Sequence, residues 1–353
     1  MAIEFIKKQI IRSYSNGELK DYFSADYHNF NYHGKHTNSD KFDMQFINDL
    51  SFTLSSLISI LKNKKNQFYY SYVEEIIQKN IKNYHKFEHY KYLKIGIIEN
   101  NFNIYKTILP SISKADLKDY FVELRNDIQL KPVLLQFPYE GPIILSTSAA
   151  SYFVHEIFGH YFESDNIQYS NKFFNIGSLV TNHNISIYDD PFFSNSLNFG
   201  SIDDSGNTYN KSCVVSNGTL SAYICSNRSS NIANTPVPRM TNTVLLNTNI
   251  TDTIKYPYRY LYVDYAYQGY ISYYNNSFTL FCSLAKEYIN NKLIQTYSNV
   301  IVSGEIVNTI KQLVPCKNTP KVYSGICVKN GEPLVVGMSS PELLIKNVKV
   351  FSV

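Results

Sequence analysis

Residues 148–162 read Ser-Ala-Ala-Ser-Tyr-Phe-Val-His-Glu-Ile-Phe-Gly-His-Tyr-Phe. Their length and the small residues at the start predict a helix. Phe153, Val154, Ile157, Phe158 and Phe162 predict that much of it is buried. Amid this apolar surface sit His155, Glu156 and His160. Neutral imidazoles are metal ligands, and a carboxylate beside the first is placed to take a proton from water at the metal. The alternative is two ordinary polar residues on an amphipathic helix, but an imidazole buried there without a partner is costly.

The spacing sets a structural condition. Histidines four apart lie about 40° from one another around an ideal helix, and histidines five apart lie about 140° apart. His155 and His160 are five apart, so they face one ion only if the helix widens into a π-type turn or ends between them. Gly159 is the residue that permits either. A regular helix through His160 would exclude a shared metal.

Working outward, the two flanks differ in texture. Upstream, Met44–Leu61 has a 3.6-residue apolar stripe and Val73–Ile81 reads as a second helix. Tyr90–Ile97 and Phe102–Ile108 read as strands. Ser113 caps a helix carrying Leu117, Tyr120, Phe121 and Leu124 on one face. Pro132–Phe137 is a strand candidate, followed by a Pro-Tyr-Glu-Gly-Pro turn. Downstream come short β-like runs. Asn217-Gly218 predicts a type I′ hairpin, and Asn290-Asn291 a second one. A Ser303-capped helix over Gly304–Leu313 precedes three closing strands near Val322–Val328, Leu334–Gly337 and Leu343–Phe351. The expected class is α+β: an α-rich N-terminal part with a small β element over residues 1–130, and a β-rich, barrel-like C-terminal domain over residues 131–353.

The chain has 353 residues, enough for about two domains. Apolar residues make up 44%, with 31 Tyr and 22 Phe, which excludes a disordered chain. A net charge of +4 without a basic stripe argues against nucleic-acid binding. No uncharged apolar run approaches the ~18 residues of a membrane span, and the N-terminus lacks a secretory pattern. Five cysteines without a CxxC pair exclude a disulfide framework or a zinc ribbon. A soluble, cytoplasmic protein is the expectation. His28, His33 and His36 form a loose cluster, and His85 and His89 fit a surface helix better than a ligand pair.

His155-Glu156-x-x-Gly159-His160, followed by Glu163 and Asp165, resembles the HExxxH signature of the TldD/PmbA metallopeptidases, on the TldD side. Asp189-Asp190, Ile202-Asp203-Asp204, Asn217-Gly218 and Pro238-Arg239-Met240-Thr241-Asn242-Thr243 occur in that family's order. Gly325-Ile326-Cys327-Val328-Lys329, with Gly337 and Pro341, resembles its Cys-bearing closing segment. The similarity covers residues 131–353. The family's glycine-rich run is reduced to Tyr267-Gln268-Gly269-Tyr270.

The resemblance implies a zinc peptidase with one zinc per chain, held by His155, His160 and Cys327, with Glu156 as general base. Glu163 and Asp165 compete for the third ligand position or orient a histidine. Arg239 and Asn242 would hold substrate or support the site. Expected substrates are unfolded or small peptides, with leader removal from a ribosomally made peptide as one role. The expected assembly is a homodimer, or a heterodimer with a related TldE/PmbA-like subunit. Two alternatives are a non-catalytic peptide-binding scaffold with a structural zinc, and a zinc amidase acting on a small molecule.

Overall fold

A computed structural model describes residues 2–15, 18–28, 67–81, 84–99, 102–108, 114–182, 184–194, 196–197, 200, 202–228, 236–247, 255–316 and 319–352. The chain separates into two compact units, Met1–Lys131 and Pro132–Val353.

In the first unit, β1 (Ala2–Ser15), β2 (Glu18–His28), β3 (Gln67–Ile81), β4 (Tyr84–Glu99) and β5 (Phe102–Ile108) form an antiparallel sheet in the order β2-β1-β3-β4-β5. The helix α1 (Lys114–Gln129) follows. The described part of this unit is therefore mostly strand, and two expectations change. Val73–Ile81 is not a helix but the second half of β3. Val73, Ile77 and Ile81 are four apart, a spacing that also falls on one face of a strand, and the segment continues a run that includes Tyr69, Tyr70 and Tyr72. The stripe over Met44–Leu61 and the Ser113 cap lie outside the described residues.

The second unit starts with β6 (Tyr139–Leu145), which includes the Glu140-Gly141-Pro142 stretch expected to turn. Pro132–Phe137 contributes only one bridge, Val133 to Tyr297. The helix α2 (Thr147–Val154) follows. Next come β7 (Ile185–Asp189), β8 (Ser212–Ser216), β9 (Thr219–Leu220), β10 (Asn227–Arg228), β11 (Val237–Pro238) and β12 (Asn242–Asn247). The long strands β13 (Arg259–Ser272), β14 (Ser277–Ile289) and β15 (Lys292–Glu305) precede α3 (Ile306–Gln312). The chain closes with β16 (Leu313–Pro315), β17 (Lys321–Lys329), β18 (Glu332–Ser340) and β19 (Leu343–Ser352). Ser303 does not cap α3; it lies in β15, and its hydroxyl donates to the Phe278 carbonyl.

β6, β13, β14, β15 and β19 pair in a ring, because β19 bonds both β6 and β15, so the sheet closes into a five-stranded barrel. Closure leaves no free edge among these five. A second sheet runs β17-β18-β12-β7-β8-β9. The α+β class with a barrel-like C-terminal part is what the sequence led us to expect. Two of its hairpins turn where asparagines predicted. Asn217 and Gly218 have φ of 45° and 83°, and Asn290 and Asn291 have 50° and 59°, the left-handed pair that a type I′ turn requires.

The helix α2 packs against β13, β18 and β12, so it is enclosed by barrel and second sheet alike. Phe153 meets Phe278 of the barrel edge-on, with ring centroids 5.2 Å apart. One apolar core joins Ala149, Phe153 and Ile157 with Val263 and Val302 of the barrel and Val215 and Leu245 of the second sheet. Among the described residues, no helix is long and apolar enough to cross a membrane.

Candidate metal centre

Ser146 starts α2 by accepting a hydrogen bond from the Ala149 amide at 3.2 Å. The helix stays regular to Val154, and from His155 to Gly159 it widens into a π turn. The His160 amide donates to the His155 carbonyl, five residues back, and a short 3₁₀ turn continues to Phe162. This meets the condition set by the five-residue spacing. Gly159 has an unexceptional negative φ, so its part is not conformational freedom. A Cβ there would lie 1.8 Å from Met240 Sδ, so the glycine gives room for the Pro-Arg-Met-Thr-Asn-Thr segment to press against the π turn.

His155 and His160 are 2% and 8% exposed, and their rings meet edge to face at 5.1 Å. Cys327 arrives on β17, where Gly325, Cys327 and Lys329 alternate with the exposed Ile326 and Val328. Its Sγ lies 3.1 Å from His160 Nε2. One ligand atom from each of His155, His160 and Cys327 falls within 4.8 Å of the others, and all three residues are buried. His155 Nε2 is buried with no hydrogen-bond partner among the described residues. An orphaned imidazole nitrogen beside a second imidazole and a thiol is a donor set suited to a divalent transition metal.

Glu163 and Asp165 do not join that group. Glu163 Oε2 accepts from His160 Nδ1 at 3.0 Å and from Lys329 Nζ at 2.8 Å. It therefore sits behind the imidazole and fixes its orientation. Lys329 also bonds Asp165 at 2.8 Å and the Pro238 carbonyl at 2.9 Å. All three of its donors are used. The Asn166 amide and the Tyr273 hydroxyl both donate to the His160 carbonyl, at 3.2 and 3.1 Å.

The electrostatics follow from this packing. Burial alone would raise the Cys327 thiol, but His160 and His155 pull it well below its ordinary value. Burial opposes a charge on His160, yet the charges of Cys327 and Glu163 hold it well above the usual imidazole range. Burial likewise works against Glu163, and His160 and Lys329 more than offset it, keeping the carboxyl low. Glu156 is raised, chiefly by burial, against the opposing pull of both histidines. Its side chain lies on Gly269 of β13, where an added Cβ would come within 2.7 Å of Oε1.

Arg239 is fully buried. Its Nη2 donates to the Cys327 carbonyl at 2.9 Å and to Sγ at 3.1 Å, and Nη1 reaches the Glu332 carbonyl at 3.3 Å. Asn242 is equally buried, donating to the Asp190 carbonyl at 2.6 Å and accepting from Ser196. Neither side chain reaches the cleft. Asp189 accepts from the Thr241 amide and hydroxyl, both at 2.7 Å, and from the Asn242 amide at 3.1 Å. Burial nonetheless pushes its carboxyl up to about 6, with those bonds and Arg228 pulling the other way. Thr243 Oγ1 lies 3.5 Å from His155 Nδ1. Asp203 makes a turn, accepting from the Ser205 and Asn207 amides. His28 lies on β2 and His85 and His89 on β4, while His33 and His36 are outside the described residues.

Sequence reasoning missed several contributors. Lys329 was readable, since two residues past Cys327 is the same face of a strand. Arg228 was not: fully buried, it donates to the carbonyls of Met240 at 2.6 Å and Val335 at 3.0 Å. The cleft over the centre, about 770 Å³, was signalled only by the tyrosines around Gln268-Gly269; Tyr267, Tyr270, Tyr273 and Tyr274 all line it.

What the fold and the buried donors define is a class: domains in which a broken helix meets a distant strand at a buried cluster of two histidines and a cysteine. The particular family follows from comparison. The chain belongs to the PmbA/TldA metallopeptidases, whose C-terminal domain model matches residues 138–352. A metalloprotease TldD homolog of Buchnera aphidicola is 26% identical over 229 residues, 59% of this chain and 47% of that protein. One from Haemophilus influenzae is 24% identical over 229 residues, 59% of this chain and 48% of that protein. The chain thus spans about half the length of these curated relatives. The crystal structure of TldE from Thermococcus kodakarensis matches with a TM-score of 0.67 at 13% identity, covering 99% of this chain and 96% of that one. At that identity the likeness is one of fold.

Proposed function

We propose that this chain is a zinc-dependent metallopeptidase, with one zinc per chain, that hydrolyses peptide bonds in unfolded or small peptides. The observation that carries the reading is the meeting of His155, His160 and Cys327 beside Glu156 at the floor of an open cleft. His155, His160 and Cys327 would hold the metal; two imidazoles and a thiolate suit zinc and leave one position open. When bound, zinc supplies Lewis acidity for the scissile carbonyl and for the attacking water. Glu156 would take the proton of that water and return it to the leaving amine. Glu163 and Lys329 hold His160 in place, and Arg239 balances the thiolate charge. Among the described residues the group of ligand atoms comprises His155, His160 and Cys327 alone, with Glu163 Oε2 and Asp165 turned to Lys329, which favours a catalytic over a structural zinc.

The chain works as a dimer in this reading, either with itself or with a TldE/PmbA-like subunit, and leader removal from a ribosomally made peptide suits such a cleft. The test is zinc content and peptide hydrolysis for wild type, Glu156→Gln and Cys327→Ser. Wild type holds about one zinc and cleaves, Glu156→Gln keeps the metal and loses cleavage, and Cys327→Ser loses both. A wild type that binds no zinc ends the proposal. Zinc binding with an unaffected Glu156→Gln makes the metal structural.

A further inference from the structure

The cleft over the candidate centre is lined by six tyrosines: Tyr152, Tyr169, Tyr267, Tyr270, Tyr273 and Tyr274. They are of two kinds. Tyr273 is fixed: it stacks on Tyr161 with ring planes 9° apart and on Tyr169 at 5.3 Å, and its hydroxyl is tied to the His160 carbonyl. An aromatic wall is thereby anchored to the turn that carries His160. Tyr270 and Tyr274 are free, 61% and 93% exposed. They sit on the outer part of β13 and in the turn beyond it, past the point where β13 pairs with β6. Exposed rings beside a buried polar centre are surface that a ligand, rather than the fold, would cover.

The charges of the cleft narrow what that ligand carries. Besides the histidines and Cys327, its charged lining residues are Glu156 and Lys329. The Lys329 ammonium is spent on Glu163, Asp165 and the Pro238 carbonyl. Away from the metal position, an acidic side chain entering this space would lose its water and meet no available lysine or arginine among the described lining residues. An aromatic or large apolar side chain would instead meet ring faces and edges that gain from stacking.

We propose that the cleft selects peptides with an uncharged aromatic or large aliphatic residue (Phe, Tyr or Leu) next to the scissile bond, and that Tyr270 and Tyr274 are the specificity-determining residues. This rests on the metallopeptidase reading above, and the two can fail separately. The experiment uses zinc-loaded full-length protein and a series of peptides identical except at one residue: Phe, Tyr, Leu, Ala, Asp or Lys. Cut sites are located by mass spectrometry. The Phe, Tyr and Leu peptides are cut beside the variable residue, with kcat/KM about tenfold or more above the Ala peptide and with Asp slowest. Tyr270→Ala and Tyr274→Ala reduce that ratio; both side chains are exposed, so neither change opens a cavity. A second readout needs no turnover: fluorescently labelled Phe and Ala peptides are titrated onto Glu156→Gln protein and followed by anisotropy. The Phe peptide binds about tenfold tighter, and Tyr270→Ala in that background removes the difference.

A flat profile across the series overturns the proposal. So does fastest cleavage of the Lys peptide, which would mean that the rings serve a cation instead. If nothing is cut but the anisotropy preference remains and depends on Tyr270, the peptidase reading falls and the recognition surface stands.

Discussion

Arg239 and Gly269 each touch a different side chain of the candidate centre. One guanidinium nitrogen bonds both the sulfur and the carbonyl of Cys327. Arg239→Met would leave a buried thiolate without its charged donor, and zinc affinity should drop about 10–100-fold. In the cobalt-substituted protein the thiolate-to-metal charge-transfer band should shift, which loss of packing alone would not cause. Arg239→Lys keeps the charge without the fork and should fall between the two. Gly269 gives the Glu156 side chain its space. Gly269→Ala should displace the carboxylate and lower kcat about 100-fold while zinc content stays at the wild-type level. Equal loss of zinc would show that the glycine serves the strand and not the base.

At the scale of elements, the decisive device is the break in the helix. It was legible because histidines five apart cannot share an ion on a regular helix. What kept it open was not legible: the Met240 side chain occupies the place of a Gly159 side chain from 81 positions away in the sequence. Gly159→Ala should destabilise the fold by about 1–3 kcal/mol through overpacking. Adding Met240→Ala should recover part of that loss, a non-additivity measurable by denaturant unfolding of the two single variants and the double one. The N-terminal helix expected over Val73–Ile81 failed for a related reason. Its four-residue spacing suits both periods, and pairing with β1 and β4 settled it as strand. In Pro-Tyr-Glu-Gly-Pro the turn-forming residues outvoted the barrel partners that make Tyr139–Leu145 a strand, since those partners lie more than a hundred residues further on. Where the local signal was strong and the contact short-range, as at Asn217-Gly218 and Asn290-Asn291, sequence and structure coincide.

For the whole molecule, metal and fold should be coupled. An ion held by the folded chain and not by the unfolded one raises stability by mass action. A strong chelator should therefore lower the melting temperature, and added zinc should restore it. Glu156→Gln should show the same shift and Cys327→Ser none. A wild-type melting curve indifferent to both chelator and zinc would count against any bound metal.

His160 and Cys327 are 167 residues apart along the chain. An ion gripping both would tie off a loop of that length, as a disulfide does. In the chain-entropy picture such a tie removes about 5 kcal/mol of freedom from the unfolded ensemble. It also sets an order of events during synthesis. At about 5–20 residues per second, the helix bearing the histidines leaves the ribosome roughly 10–30 s before the cysteine strand exists. The clasp therefore cannot fasten until the strand bearing Cys327 has been made, so a truncated product ending before β17 would lack it.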